Sequence, residues 1–339
     1  MKKLTLFLFT VLISFSFKAQ ELEILLLAND DANLLLKNYM SPVMLGMQHS
    51  LNNGWYHTAK THKKFGFDIT IQANAAVVPN NQQSFNFNAE DYKYLSVDSG
   101  SSNTINTIMG GKNTTTINVR VPEANDFKVA TFTMPDGIGE DLPLNAVPSP
   151  MIQASIGLIP NTDISIRYLP EINTDDVSGN LIGFGLKHNL MSYFGPLDKL
   201  PLNIAIMGGF TSMNVNYNIQ NSSGLQGTNQ EAVFKLNAYT VQAIASLDFP
   251  VITIYGGLGY DKGSSTLKLN GTYKLDYTFE NTSSTVTESV TDPINMDFDT
   301  SSMRATLGAR LNIGFFKIFG DYSIKEFNTV SAGIAFSFR

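Results

Sequence analysis

Four histidines, His49, His57, His62 and His188, are the first residues to weigh as chemistry. His57 and His62 flank the stretch HTAKTH, just after Trp55 and Tyr56. A metal centre needs three or four ligands at fixed geometry, and two histidines in a turn are too few. They read as a solvated turn, with Trp55 and Tyr56 in an aromatic belt at a membrane–water interface, so no metal and no cofactor is expected. His188 and Ser192 share a parity with Ile182, Phe184, Leu186 and Leu190. On one strand they would stand roughly 13 Å apart, too far to work as nucleophile and base, and no G-x-S-x-G surrounds the serine. Asp297, Asp299 and Ser301 fall on the first three ligand spacings of a calcium loop, but Ser302 replaces its glycine and Gly308 its bidentate glutamate. Together with Asp175 and Asp176 these carboxylates read as solvated loop residues. No enzyme is expected.

The polar residues with a stronger pattern lie on strands. In KFGFDITIQANAAVV, from Lys64 to Val78, Phe65, Phe67, Ile69, Ile71, Ala73, Ala75 and Val77 share one parity, and Asp68, Thr70, Gln72 and Asn74 the other. Neighbouring strand residues point to opposite faces, so this is a sheet with one apolar and one wet side. In SSMRATLGARLNI, Met303 to Ile313 alternate apolar against Arg304, Thr306, Gly308, Arg310 and Asn312. Parity therefore assigns Asp68, Gln72, Asn74, Arg167, Lys187, Gln242, Arg304 and Arg310 to one wet interior. Both signs are present, and Gly257 and Gly259 on the same face would leave space for something inside. In LNIAIMGGF followed by MNVNYNIQ the apolar parity reverses, which predicts a bulge near Thr211 and Ser212.

The export address decides which solvent meets the apolar face. Lys2 and Lys3, an apolar run from Leu4 to Phe17 and the Ala19–Gln20 junction form a signal peptide over residues 1–19. Without it the chain carries 20 Lys and Arg against 29 Asp and Glu, a net charge of −9, which is a poor match to nucleic acid. There is no cysteine, hence no disulfide framework and no cysteine-anchored lipid. No later apolar run is long enough for a membrane helix.

Nearly every segment after Pro148 alternates like a strand. Short joins at Pro160–Asp163, Gly195–Pro201, Asp248–Val251 and Ile313–Phe316 alternate with long polar ones near Glu171–Ser178, Ile219–Glu231 and Glu280–Thr300. Sorted loop lengths belong to a barrel with turns on one side of the outer membrane and loops on the other. The last strand, TVSAGIAFSFR, ends on Phe336 and Phe338, further interface aromatics. It resembles the carboxy-terminal signal that the barrel-assembly machinery recognises. The fold expected is all-β, an antiparallel transmembrane β-barrel of 12 to 14 strands with 14 favoured. Nine strands follow Pro148, and the segment before it, with a hairpin at Gly110 and Gly111, supplies the rest. Both termini are expected in the periplasm.

Residues 20–50 differ. Asp30 or Asp31 is placed to cap one helix and Ser41–Pro42 to start a second. Leu34, Leu35, Leu36, Tyr39, Met44 and Leu45 need burial, and a lumen plug ahead of the barrel at 51–339 would provide it.

The stretches LNNGWYHTAKTHKKFGFDITIQANAAVVP (51–79) and GFGLKHNLMSYFGPLDKLPLNIAIMGGFT (183–211) resemble an uncharacterised family of Gram-negative outer-membrane barrels known as a domain of unknown function. The arrangement of amino-terminal helices before a barrel is similar to FadL-type channels for long-chain fatty acids and hydrophobic compounds. That likeness implies 14 strands, a plug and passage of a small hydrophobic solute. The Asn-Pro-Ala motif of those channels is absent, and Ala28, Asn29 and Asp30 stand in its place. The function expected is a plugged passive channel for small or hydrophobic solutes in the outer membrane, in contact with its lipid. The alternative is a non-conducting barrel that binds a partner through its external loops.

Overall fold

In the computed structural model, each strand of the wall runs antiparallel to its neighbour until the first meets the last. Residues 19–28, 30–120, 128–173, 176–195, 200–219, 226–278 and 285–338 are described, so Asp175 and all but the last residue of the expected signal peptide lie outside the described residues. The wall consists of β1 (Phe67–Val77), β7 (Ala146–Ile159), β8 (Thr162–Asn173), β9 (Val177–Asn189), β10 (Leu202–Asn218), β11 (Gln226–Asp248), β12 (Ile252–Thr278), β14 (Ile294–Ile313), β15 (Phe316–Ile324) and β16 (Thr329–Phe338). Closure comes from β1, which pairs with β16 on one side (Phe67 opposite Phe338) and with β7 on the other (Phe67 opposite Ile156). The ring has 10 strands rather than 12 or 14.

The nine strands after Pro148 are present; what precedes it adds only β1. The described residues between Asn80 and Asn145 instead fold as a cap over one end of the ring. There β2 (Ser84–Asn86) pairs with β4 (Thr104–Asn106), and β5 (Thr116–Arg120) lies between β3 (Leu95–Val97) and β6 (Lys128–Thr133). Strands this short fall well below the 9–11 residues that cross a bilayer. The expected hairpin at Gly110 and Gly111 does not form, because β4 and β5 belong to different sheets. A last strand, β13 (Thr285–Thr291), continues the pairing with β12 beyond a break at Asp292 and Pro293.

Each long wall strand changes its polarity midway. Near the short turns, the outward residues are apolar: Tyr239, Val241 and Leu247 on β11, Ile254, Leu258 and Tyr260 on β12, and Met303, Leu307 and Leu311 on β14 are all exposed. Many of the inward residues there are polar, among them Gln242, Thr253 and Arg304, beside a small apolar cluster that includes Met207, Ile244 and Tyr255. Further along, the faces exchange: Phe234, Leu236, Leu267, Met296 and Phe298 are buried inside, while Lys235 and Asp297 point out. The outward apolar runs cover about nine to eleven residues, the length of a membrane crossing, so the lower half faces lipid and the upper half stands in water around an apolar core. This also corrects the expected bulge in β10. Its register is continuous from Leu202 to Asn218 against β11, and the parity reverses because the strand leaves the lipid.

The two ends of the ring differ. One carries the joins at 160–161, 249–251 and 314–315, and an outward aromatic cluster in which the Phe67 and Phe338 rings lie 5.2 Å apart and those of Phe315 and Phe338 5.9 Å apart. Phe336 belongs to this cluster, 5.4 Å from Phe316. The other end carries the cap. Much of the polar sequence expected there as long loops is strand instead, including Asp297 and Asp299 on β14. His188 and Ser192 do not share a strand: β9 ends at Asn189, and His188 bonds Thr162 Oγ1 (2.8 Å) and Tyr193 Oη (3.1 Å).

The amino-terminal segment forms α1 (Ala19–Leu26) and α2 (Asp30–Leu51). The second helix runs unbroken through Ser41 and Pro42, where two helices were expected. Asp31 accepts from the backbone of Tyr94 (2.5 Å) and Leu95 (3.0 Å), which ties the helix start to the cap. Leu35, Leu36, Tyr39 and Met44 are buried, with Leu34 and Leu45 packed against the same core. The helix descends into the upper ring, where a Cβ on Gly46 would lie 2.6 Å from Val147.

Candidate functional site in the barrel lumen

The lower lumen holds the chain between α2 and β1. After Leu51 the backbone runs irregularly from Asn52 to the short-turn end, where Phe65 N donates to Gly157 O (2.7 Å) and Gly157 N to Gly66 O (2.9 Å). The wall therefore begins at Phe67; residues 51–59 are buried within it, and Lys63, Lys64 and Phe65 emerge at the short-turn end.

An irregular backbone in an interior must have its polar groups met by side chains, and the wall supplies these. Arg167 donates to the carbonyls of Leu51 (2.8 Å) and Asn53 (2.6 Å), and Arg304 to that of Asn52 (3.0 Å). Gln72 donates to Gly54 O (2.7 Å) and Gln153 to Trp55 O (3.2 Å). Lys187 reaches Thr58 O (3.3 Å) and Lys60 O (2.9 Å), and Asn189 reaches Ala59 O (3.2 Å). Lys325 donates to His49 O (2.8 Å), Asn53 Oδ1 (3.0 Å) and Asp261 Oδ2 (3.0 Å), the last shared with Arg304 (3.3 Å). Arg167 is fully buried and has no carboxylate partner among the described residues. Two carbonyls and the face of Trp55, 3.6 Å from the guanidinium, offset its desolvation.

Trp55 fits because the wall is thin beside it. A Cβ on Gly185 or Gly209, which are register partners on β9 and β10, would lie 2.8 and 2.5 Å from the indole. Gly257 similarly clears the Tyr56 hydroxyl, which would be 2.5 Å from its Cβ and which donates to Gln242 Oε1 (3.0 Å).

At the short-turn end the two histidines of HTAKTH meet wall carboxylates. Asp68 Oδ2 lies 3.5 Å from His57 Nε2 and 3.3 Å from His62 Nε2. His62 Nδ1 and Lys187 Nζ are both 3.1 Å from Asp163 Oδ2. Arg310 approaches His57 Nδ1 at 2.9 Å and Asp248 at 3.3 Å. Among the described residues no group of three or more His, Asp or Glu side chains is arranged so that it could hold a metal ion. At the upper end His49 lies 3.2 Å from Thr300 and 3.6 Å from Glu326, and stacks on Phe327. Burial pushes the His49 imidazole below its ordinary pKa despite the nearby carboxylate. The Glu326 carboxyl is held low, chiefly by its hydrogen bond with His49.

All eight residues assigned to the interior by parity point inward: Asp68, Gln72, Asn74, Arg167, Lys187, Gln242, Arg304 and Arg310. Asn74 alone of these has neither amide atom bonded. Trp55 and Tyr56 are not at a membrane interface but inside, 3% and 6% exposed, and His57 and His62 are enclosed rather than solvated. They lie in irregular chain, where no periodicity assigns a face. Lys325 and Asp261 were missed; Asp261 shares the inward parity of Gly257 and Gly259, a signal that was available.

Among solved structures, the chain is similar to the outer membrane protease OmpT of Escherichia coli, at 9% identity over 83% of this chain and 100% of that one, with a TM-score of 0.34. It is also similar to Ail, the attachment invasion locus protein of Yersinia pestis (8%, 81% and 100%, TM-score 0.26). A third likeness is to the toluene transporter TbuX of Ralstonia pickettii (8%, 89% and 93%, TM-score 0.22). Likenesses this slight say nothing of activity. No curated protein matches the chain. A family model described as "Family of unknown function (DUF6588)" matches residues 1–338, and the chain therefore belongs to that family.

Proposed function

We propose that this protein is an outer-membrane barrel closed to solutes by its own chain, presenting the cap and upper wall outside the cell as a surface for interaction. The observation that carries the reading is the run of carbonyls from His49 to Lys60 bound by wall side chains. A hydrogen bond to a charged group contributes about 1.5–3 kcal/mol, so withdrawing this segment would break several such bonds at once. Short turns face the periplasm in such barrels, which puts the cap outside and the last strand where the assembly machinery works. The second reading is a passive channel for small or hydrophobic solutes, gated by movement of the same segment. The amide of Asn74, buried in the lumen with neither atom bonded among the described residues, is the observation that favours it. Planar-bilayer conductance of the refolded mature chain separates the two. The closed reading expects silence from barrels shown to be folded by heat-modifiable gel migration, and discrete conductance steps would overturn it.

A further inference from the structure

Above the apolar band, the outer face of β10, β11, β12 and β14 carries a groove of about 590 Å³. Strand register builds it as a grid. Asn216, Val233, Lys268 and Asn295 form one row across the four strands, and Lys235, Thr266 and Asp297 lie in the next. Adjacent strands are about 4.8 Å apart, a spacing comparable with a pyranose ring. The chemistry is mixed: ammonium and amide donors stand beside carboxylate and amide acceptors, with Val233 as an apolar patch between them. Lys235 and Lys268 make no ion pair among the described residues, and Asp297 accepts only from Thr266 (2.8 Å). A ligand that presents hydroxyls as both donors and acceptors, with apolar C–H faces, matches this grid. Directly below, on the same strands, Phe210, Tyr239, Tyr260 and Met303 lead into the lipid-facing band.

We infer that this groove holds the saccharide headgroup of a glycolipid whose acyl chains lie along the apolar band beneath it. The inference rests on the orientation proposed above, with the cap end outside. The test uses the full mature chain in phosphatidylcholine nanodiscs, titrated with purified short-chain lipopolysaccharide and, separately, with the free oligosaccharide released from it. Both should bind, and a Lys235→Ala/Lys268→Ala double variant should weaken each roughly tenfold or more, the loss of about 1.4 kcal/mol. Lys274→Ala, outside the groove, should change neither. All three proteins are first shown to be folded by gel migration. Failure of the oligosaccharide to bind, or glycolipid binding untouched by the double variant, would overturn the inference. Orientation is checked independently: an impermeant amine reagent should label Lys235 on intact cells, and its failure to do so would overturn the orientation and the assignment that depends on it.

Discussion

Arg167 shows how one side chain holds the lumen together. It is a guanidinium without a carboxylate partner among the described residues, and its bonds run to the threaded backbone and to Gln153 (3.0 Å). Arg167→Met would leave two buried carbonyls unpaired, at about 1–3 kcal/mol each. Amide exchange of residues 51–56 in the folded protein should rise well above that of the wall strands, and unchanged protection would count against the role. Lysine should not replace it, since an ammonium cannot serve both carbonyls with a planar fork. The His49–Glu326 contact sets a pH dependence. His49 has a lowered folded pKa, so its contribution is complete above about 6.5 and is lost as pH falls below that value. Glu326, also lowered, keeps its contribution above about 4.3 and loses it as pH falls further. The thermal gel-shift midpoint should therefore fall on acidification in two stages, and His49→Gln should flatten the first. A midpoint that stays level between pH 7 and 5 in the parent protein would refute this. Residues on strands were legible from parity alone, as the eight inward side chains show. Trp55, Tyr56, His57 and His62 were not, because a threaded segment gets its surroundings from a wall that is distant in sequence.

Alternation identified the nine strands from β7 onward, but alternation states only that two faces differ, not which is wet. On β10 the apolar parity reverses where the outside changes from lipid to water and the inside from polar chain to apolar helix. A reversal without a register break is therefore the mark of the membrane boundary. The same logic predicts contrasting effects for two outward positions of β11. Ala243→Lys places a charge at the middle of the band and should cost about 2–4 kcal/mol, whereas Asn237→Lys, above it, should stay within about 0.5 kcal/mol. Denaturant titration in lipid vesicles, read by gel shift, checks both, and equal costs would move the boundary. The strand count fails before Pro148 because the short extended segments β2 to β6 build the cap and not the wall. The deciding quantity was length, since three- to six-residue strands cannot cross a bilayer.

As a whole, the molecule is a ring threaded by its own beginning. The helices α1 and α2 fill the upper ring and meet the cap, the next residues occupy the lower lumen, and β1 turns back up as part of the wall. Both ends of the wall lie at the short turns, Phe67 opposite Phe338, as an even strand count requires, whereas α1 packs near the cap and Glu23 accepts from Asp276 N at the far end of β12. A plug was legible in the leucines of α2, but the lumen itself is filled by the irregular segment after it. Whether that segment ever leaves is the central question, and the absence of cysteine makes it directly testable. The hydroxyls of Ser50 and Ser149 are 2.6 Å apart, so a Ser50→Cys/Ser149→Cys pair would staple the end of α2 to β7. Solute efflux from vesicles carrying this variant is the measurement to make. A barrel closed by its own chain gives no flux whether the pair is oxidised or reduced, and flux that appears only on reduction would overturn the closed reading and establish a gate.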